Sequence, residues 1–312
     1  VQLGPSSIAW VLKLRHRYGL SIRKSCQLLS EAFQLDLSAG AISHLEQRVA
    51  KKLLPDYEQL LEQARQASYL HVDETSWYVG QPGYWLWDLT KADLTVYEIS
   101  SRRDRQTLDR LLGDDFNGTL ISDCASIYEQ FCERQQKCYA HHLKAIKDAL
   151  QACPQSSYLK LVRKLLQKAI GYESCRKRFK PPDYQRLCDH LENRADQLLP
   201  TYKDENGKIH FDHPSCPFEL NPTELKVARR IAKRRQHLFT FLYDQEVEAT
   251  NNLAERQLRP AVIQRKISCG NRTPKGAKAW KILRSVMVTD QQRNNDFSNS
   301  ICQALQRDLR SR

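Results

Sequence analysis

The spacing of apolar residues changes period near Tyr69, and this change constrains the fold more than any other feature of the chain. Residues 6 to 66 follow helical spacing: Ile8, Val11, Leu12 and Leu14 open the pattern, and Leu28, Leu29, Ala32 and Phe33 continue it. A break at Leu35-Asp36-Leu37 precedes Ser38, which reads as the N-cap of a helix carrying Ile42, Leu45 and Val49. From Tyr69 onward, aromatic and β-branched residues stand between turn residues. Tyr69 to Asp73 with Ser76 to Val79, then Tyr84 to Trp87, then Thr95 to Ile99 predict three consecutive antiparallel strands, separated by turns at Gly80 to Gly83 and Lys91 to Asp93. A helix from Arg105 to Leu112, a buried strand from Gly118 to Asp123, helical text from Ala125 to Phe131, a short strand near Lys137 to Tyr139 and a helix from His141 to Leu150 complete the pattern. This order is that of an α/β fold with a mixed sheet.

After Gln151 the text becomes long basic helices. Leu159, Val162, Leu165, Leu166 and Ala169 keep helical spacing, as do Leu187, His190, Leu191 and Ala195. Asn206-Gly207 marks a tight hairpin turn, and prolines 214, 217 and 222 punctuate the stretch before a helix from Thr223 to Leu242. A further helix begins within Glu248 to Arg256, which Pro260 should end or kink. Another runs from Ala277 to Val288, and the last twenty or so residues read as a short helix and a frayed tail. The segments are thus 1–66, a helical N-terminal region; 67–150, the first part of an α/β core; 151–243, a mostly helical insertion; 244–290, the rest of the core; and 291–312, a tail.

The charge balance restricts partners. Lys plus Arg total 49 against 36 Asp plus Glu, a net +13 in 312 residues, which favours a polyanion, nucleic acid being the commonest; the competing reading is solubility alone. No run of about 18 apolar residues occurs, which excludes an ordinary membrane-spanning helix. The start, Val1 to Pro5, has no secretory pattern, and Val1 in place of an initiator Met points to a fragment or a processed product. The ten cysteines contain no Cys-x-x-Cys pair, so reduced thiols in a cytoplasmic protein are expected rather than disulfides or a paired-cysteine zinc site. Two regions are candidates for contact with nucleic acid. The helices either side of the Leu35 break form either a helix-turn-helix presenting Ser43, His44 and Arg48 or an ordinary helical hairpin. Lys226, Arg229, Arg230, Lys233, Arg234 and Arg235 form either a phosphate-contacting face or a solvated one.

Three acids stand where phosphoryl chemistry needs them. Asp73 ends the first predicted strand, Asp123 ends the fourth, and Glu255 lies on the helix after the insertion. In a mixed sheet whose first and fourth strands are neighbours, two such acids converge, and a packed helix supplies the third. Carboxylates hold hard divalent cations such as Mg²⁺, and two ions roughly 3.5–4 Å apart serve in-line displacement at phosphorus. The competing reading is that a strand-terminal Asp is simply a turn former.

Four ordered motifs add a resemblance: His71-Val72-Asp73-Glu74-Thr75-Ser76-Trp77; Ile121-Ser122-Asp123 with Tyr128; Cys138-Tyr139-Ala140-His141; and Glu246 to Arg256, followed by Arg259-Pro260 and Arg265-Lys266. From about residue 5 to 290 the chain resembles the insertion-sequence-66 family of bacterial transposases. That resemblance implies a ribonuclease-H-like core with an Asp-Asp-Glu triad, Asp73, Asp123 and Glu255, holding Mg²⁺ or Mn²⁺, two ions in all. It implies a helical insertion in the long gap between Asp123 and Glu255, and DNA contacts from Arg256, Arg259, Arg265 and Lys266, with Arg230 and Arg234 in the insertion. Asn251, Glu255 and Arg259 are four apart and are expected on one helix face, with Asn251 supporting Glu255.

Cys138 and His141 are expected to shape the site or pack rather than form a zinc site; His142 is expected to contact DNA or lie exposed, His71 to pack near the site, and Trp85 and Trp87 to pack. Full-length relatives carry a DNA-binding region ahead of this part, so recognition of the terminal repeats is expected to be truncated or missing here. The function implied is metal-dependent strand cleavage and strand transfer of a mobile element, acting on element ends and target DNA. A homo-oligomer at the bacterial nucleoid, in the cytoplasm and off the membrane, is the expected setting. The alternatives are a catalytically decayed DNA-binding remnant and a ribonuclease-H-like nuclease that does not join strands.

Overall fold

Helices give way to strands where the period changes. The computed structural model describes residues 3–310; Val1 and the last two residues of the 291–312 segment lie outside the described residues. In chain order the elements are α1 (Pro5–His16), α2 (Ile22–Phe33), α3 (Ala39–Lys52), α4 (Leu54–Arg65), β1 (Tyr69–Val79), β2 (Gln81–Lys91), β3 (Leu94–Ser100) and α5 (Arg105–Leu112). Next come β4 (Thr119–Ser122), β5 (Gln135–Lys137), α6 (Tyr139–Ala152), α7 (Ser157–Cys175), α8 (Pro181–Leu198), β6 (Thr201–Lys203), β7 (Ile209–Phe211), α9 (Pro222–Ala232) and α10 (Thr240–Tyr243). The chain closes with α11 (Asn252–Ser268), α12 (Pro274–Gln292) and α13 (Phe297–Arg310). These form two compact units, one built from the chain up to Gly118 and from Asn252 onward, the other from Thr119–Asn251.

In the first unit β1, β2 and β3 form an antiparallel meander, as their alternation predicts. Trp77, Leu86, Tyr97, Leu258 and Trp280 meet in its core, with the Trp77 and Trp280 ring centroids 4.8 Å apart. Their indole N–H groups are satisfied by Asn271 (2.8 Å) and Gln264 (3.0 Å), so two large rings are buried without an orphaned donor. Helix α12 is buried along nearly its whole length from Ala277 to Asp290 and packs on β3. Its Ser285 and Thr289 hydroxyls accept from the backbone N–H groups of Tyr97 (2.8 Å) and Thr95 (3.0 Å). The outer strand thus finds partners for its free edge in helix side chains. Ser38 caps α3 as expected, accepting from Ala41 N at 3.1 Å.

The second unit pairs β4 and β5 in parallel, with Ser122 opposite Lys137. Helices α7 and α8 pack together through Leu159, Val162, Leu165 and Leu166 on one and Cys188, Leu191 and Ala195 on the other, all buried. The Asn206-Gly207 turn joins β6 to β7 as predicted: Asp204 Oδ1 accepts from the N–H of Asn206 (3.0 Å) and Lys208 (2.9 Å), and Gly207 has φ +73°. Strands therefore pair in both senses, giving a mixed α/β protein with many helices.

Several local expectations are corrected. The text from Ala125 to Phe131 forms only a 3₁₀ turn at Ser126–Tyr128. The helix expected from Thr223 to Leu242 breaks after Ala232 and resumes at Thr240. At that break the side chains and backbone of β5 take over the polar groups: Gln136 Oε1 accepts from Phe241 N (3.1 Å), and Gln135 O accepts from Thr240 Oγ1 (2.6 Å). Helix α11 starts at Asn252, later than read, and runs through Pro260 to Ser268. Leu258, Ala261 and Gln264 are buried around the proline, so packing carries the helix past its missing N–H. The C-terminal residues form α13, a full helix with Phe297, Ile301 and Ala304 buried, which packs on α1.

Candidate functional site

Asp73 lies within β1, not at its end. The polar run Glu74-Thr75-Ser76 reads as the close of a strand, yet it pairs with Trp87, Leu86 and Trp85 of β2, and that ladder carries β1 on to Val79. Asp73 Oδ1 accepts from Glu74 N at 2.9 Å. Glu74 faces the other side of the sheet and pairs with Arg103 at 2.6 Å, whose guanidinium covers the Trp85 ring at 4.7 Å. Trp87 is fully buried, as expected of packing, and so is His71. Opposite Asp73 on β2 stands Asp88, which sequence reading passed over among Trp87, Leu89 and Thr90. Asp88 is fully buried, and both carboxylate oxygens lack a hydrogen-bond partner. Burial, with the neighbouring Asp73 charge adding to it, pushes the Asp88 carboxyl well above the usual carboxylate range against the pull of Arg284. An acid in apolar strand text was the visible signal, but only the strand register places it beside Asp73.

Asp123 follows β4 directly, one residue past the strand expected to include it, and its Oδ1 accepts from Ala125 N at 2.8 Å in a tight turn. The loop beyond is held from α9 and the residues after it. Arg234 donates to Cys124 O (2.8 Å), Glu129 Oε1 (2.6 Å) and Arg230 O (2.9 Å), and Lys233 pairs with Glu129. Arg235 is tied to Glu192 and Asp196 of α8. Three members of the cationic run are thus engaged inside the second unit, and Arg234 is buried; Lys226 and Arg229 are exposed, and Arg230 is partly buried. Behind Asp123 the buried Lys137 ammonium donates to Ser122 Oγ at 2.9 Å, and burial pulls its pKa down to about 8. Sequence reading missed Lys137, because a short strand gives no periodicity from which to read a face.

His142, expected to contact DNA or to lie exposed, is instead fully buried. Burial and the charges of Arg230 and Arg234 press its pKa down to about 3. Cys138 is buried; its Sγ accepts from Asn251 N at 3.2 Å, while Tyr139 N donates to Ala249 O at 2.9 Å. The Cys-Tyr-Ala-His motif therefore pins the chain just ahead of α11. Ligand atoms of Cys138 and His141 lie within 4.8 Å of each other, and His141 Nδ1 is buried without a partner.

Asn251 precedes α11 instead of lying on it, so it does not share a helical face with Glu255 and Arg259. Glu255 is exposed in the first turn of α11, where the helix dipole favours a carboxylate. Arg256, Arg259 and Lys266 are exposed on the same helix. Arg265 is turned inward onto β1, donating to Ser76 Oγ (2.9 Å) and Thr75 Oγ1 (3.2 Å). On α3, His44 and Arg48 are exposed and Ser43 is partly buried, while Ile42, Leu45 and Val49 face the protein. Among the described residues no helix is long and apolar enough to cross a membrane.

A family-model match puts the chain in the class of transposases, enzymes that act on DNA. Residues 1–279 match the Transposase IS66 family, and the chain belongs to that family. No curated protein matches it.

Proposed function

We propose that the protein cuts and joins DNA strands of an insertion sequence through a ribonuclease-H-like Asp-Asp-Glu site made by Asp73, Asp123 and Glu255. The observation that carries this reading is the family match, which spans all three acids. The donors fit a hard divalent cation: they are carboxylates, and one of them faces a second, buried carboxylate whose oxygens have no hydrogen-bond partner. Bound Mg²⁺ or Mn²⁺, two ions in this reading, supplies the positive charge that activates the attacking oxygen and stabilises the leaving one.

The chain's own groups do the rest. Asp73 is fixed by the β1–β2 ladder and Asp123 by its turn to Ala125, so both carboxylates are held in place before substrate arrives. Exposed Arg256, Arg259 and Lys266 neutralise phosphates, with Arg230 from the insertion, and so offset the repulsion between DNA and the acids. Arg234 holds the loop after Asp123 and Cys138 holds Asn251; with His141, these residues shape the site in this reading. The acting species is a homo-oligomer on DNA in the bacterial cytoplasm.

Asp73→Asn, Asp123→Asn and Glu255→Gln test the reading on a labelled element-end duplex with Mg²⁺. Each is expected to lower cleavage by about a thousandfold while DNA affinity stays within about twofold. Wild-type cleavage in all three variants discards the triad. A duplex with a free 3′-hydroxyl, offered a target plasmid, separates strand transfer from simple nuclease action.

A further inference from the structure

Strand β2 carries an acid between two buried apolar residues. Asp88 lies between Trp87 and Leu89, and all three are fully buried. It is the partner of Asp73 on β1 and of Tyr97 on β3. Directly opposed residues of an antiparallel pair project to the same face with Cβ atoms ~4.5–5.5 Å apart, so the two carboxylates share one small volume. Both Asp88 oxygens are without a hydrogen-bond partner. The charges acting on it are Asp73, which repels it, and Arg284 of α12, whose Nε is likewise buried without a partner. A dry carboxylate against a second carboxylate is costly in the absence of a cation between them.

We propose that Asp88 is a fourth carboxylate of the metal site, ligating a divalent cation jointly with Asp73; this rests on the reading of Asp73 as a metal ligand. Asp73 is partly exposed and gives the ion its entry, while Asp88 forms the floor. A hard cation fills the unused lone pairs of Asp88 and cancels the like-charge repulsion in one step.

The test is Mn²⁺ binding to the full chain, followed by electron paramagnetic resonance and by thermal melting with and without Mn²⁺. Asp88→Asn is expected to weaken binding by about 10- to 100-fold at one ion and to shrink the rise in Tm on adding Mn²⁺. The same substitution keeps the size of the side chain, so the metal-free variant is expected to fold and melt cooperatively, as wild type does. Asp88→Ser serves as the second variant and is expected to show the same loss. Wild-type Mn²⁺ affinity in Asp88→Asn and Asp88→Ser, with loss in Asp73→Asn, overturns the role of Asp88 and leaves the triad standing. Wild-type affinity in Asp73→Asn as well overturns the triad together with this extension.

Discussion

The Lys137 ammonium donates a 2.9 Å hydrogen bond to the Ser122 hydroxyl, one residue before Asp123, and Lys137 is almost wholly buried. Ser122 and Lys137 are register partners of the β4–β5 pair, so the bond is built into the ladder that delivers Asp123. A cation held there supports negative charge next door, but it is costly to keep away from water.

That cost sets a pH dependence. Burial lowers the Lys137 pKa from 10.5 to about 8, so between those values the unfolded chain binds more protons and stability rises with pH. From about pH 7.5 to about pH 9.5 the gain amounts to about 2 kcal/mol. Above that range the buried Tyr57, Tyr97 and Tyr139, whose hydroxyls are pushed upward, act in the opposite sense. Urea unfolding at the two pH values checks this, and Lys137→Met is expected to lose the increment. An equal rise in the variant assigns the increment to other groups.

Arg234 is expected to act by holding the Asp123 loop. Its guanidinium spans Cys124 O, Glu129 and Arg230 O, and truncation removes the donor to both carbonyls and one of the two cations on Glu129. Arg234→Ala should cost about 2–3 kcal/mol of stability. Cleavage should fall while the salt dependence of DNA binding stays unchanged. A shallower salt slope would instead make Arg234 a phosphate contact.

Much of the fold was legible because its signals are local. Period-two aromatic text gave β1 to β3, Ser38 gave the start of α3, and Asn206-Gly207 gave the β6–β7 turn. The misreadings fall where distant partners decide. β1 continues through Glu74-Thr75-Ser76 because Trp85 to Trp87 pair with it. Packing carries α11 through Pro260, and β5 side chains interrupt the helix expected from Thr223 to Leu242. In the candidate site, the three acids came from strand and helix context and from resemblance. Asp88 and Lys137 were invisible because their significance lies in register.

The α12 hydroxyls that cap β3 are expected to carry real stability. Ser285→Ala strips Tyr97 N of its acceptor, and Thr289→Val does the same to Thr95 N. Each should cost about 1–3 kcal/mol, since a buried donor is left unsatisfied. Denaturant melts measure this, and losses below about 0.5 kcal/mol would mean that the strand edge finds other partners.

The basic residues of α11 divide into two groups by environment, and salt titration of DNA binding separates them. Arg259 and Lys266 are exposed, and if each neutralises one phosphate, replacing either by Ala lowers the slope of log affinity against log salt by about one. Arg265 is already held by Thr75 and Ser76 of β1, two and three residues beyond Asp73. Arg265→Ala should therefore leave the slope unchanged, lower the melting temperature and slow cleavage through the position of β1. If it lowers the slope as Arg259→Ala does, its guanidinium leaves β1 for a phosphate when DNA binds.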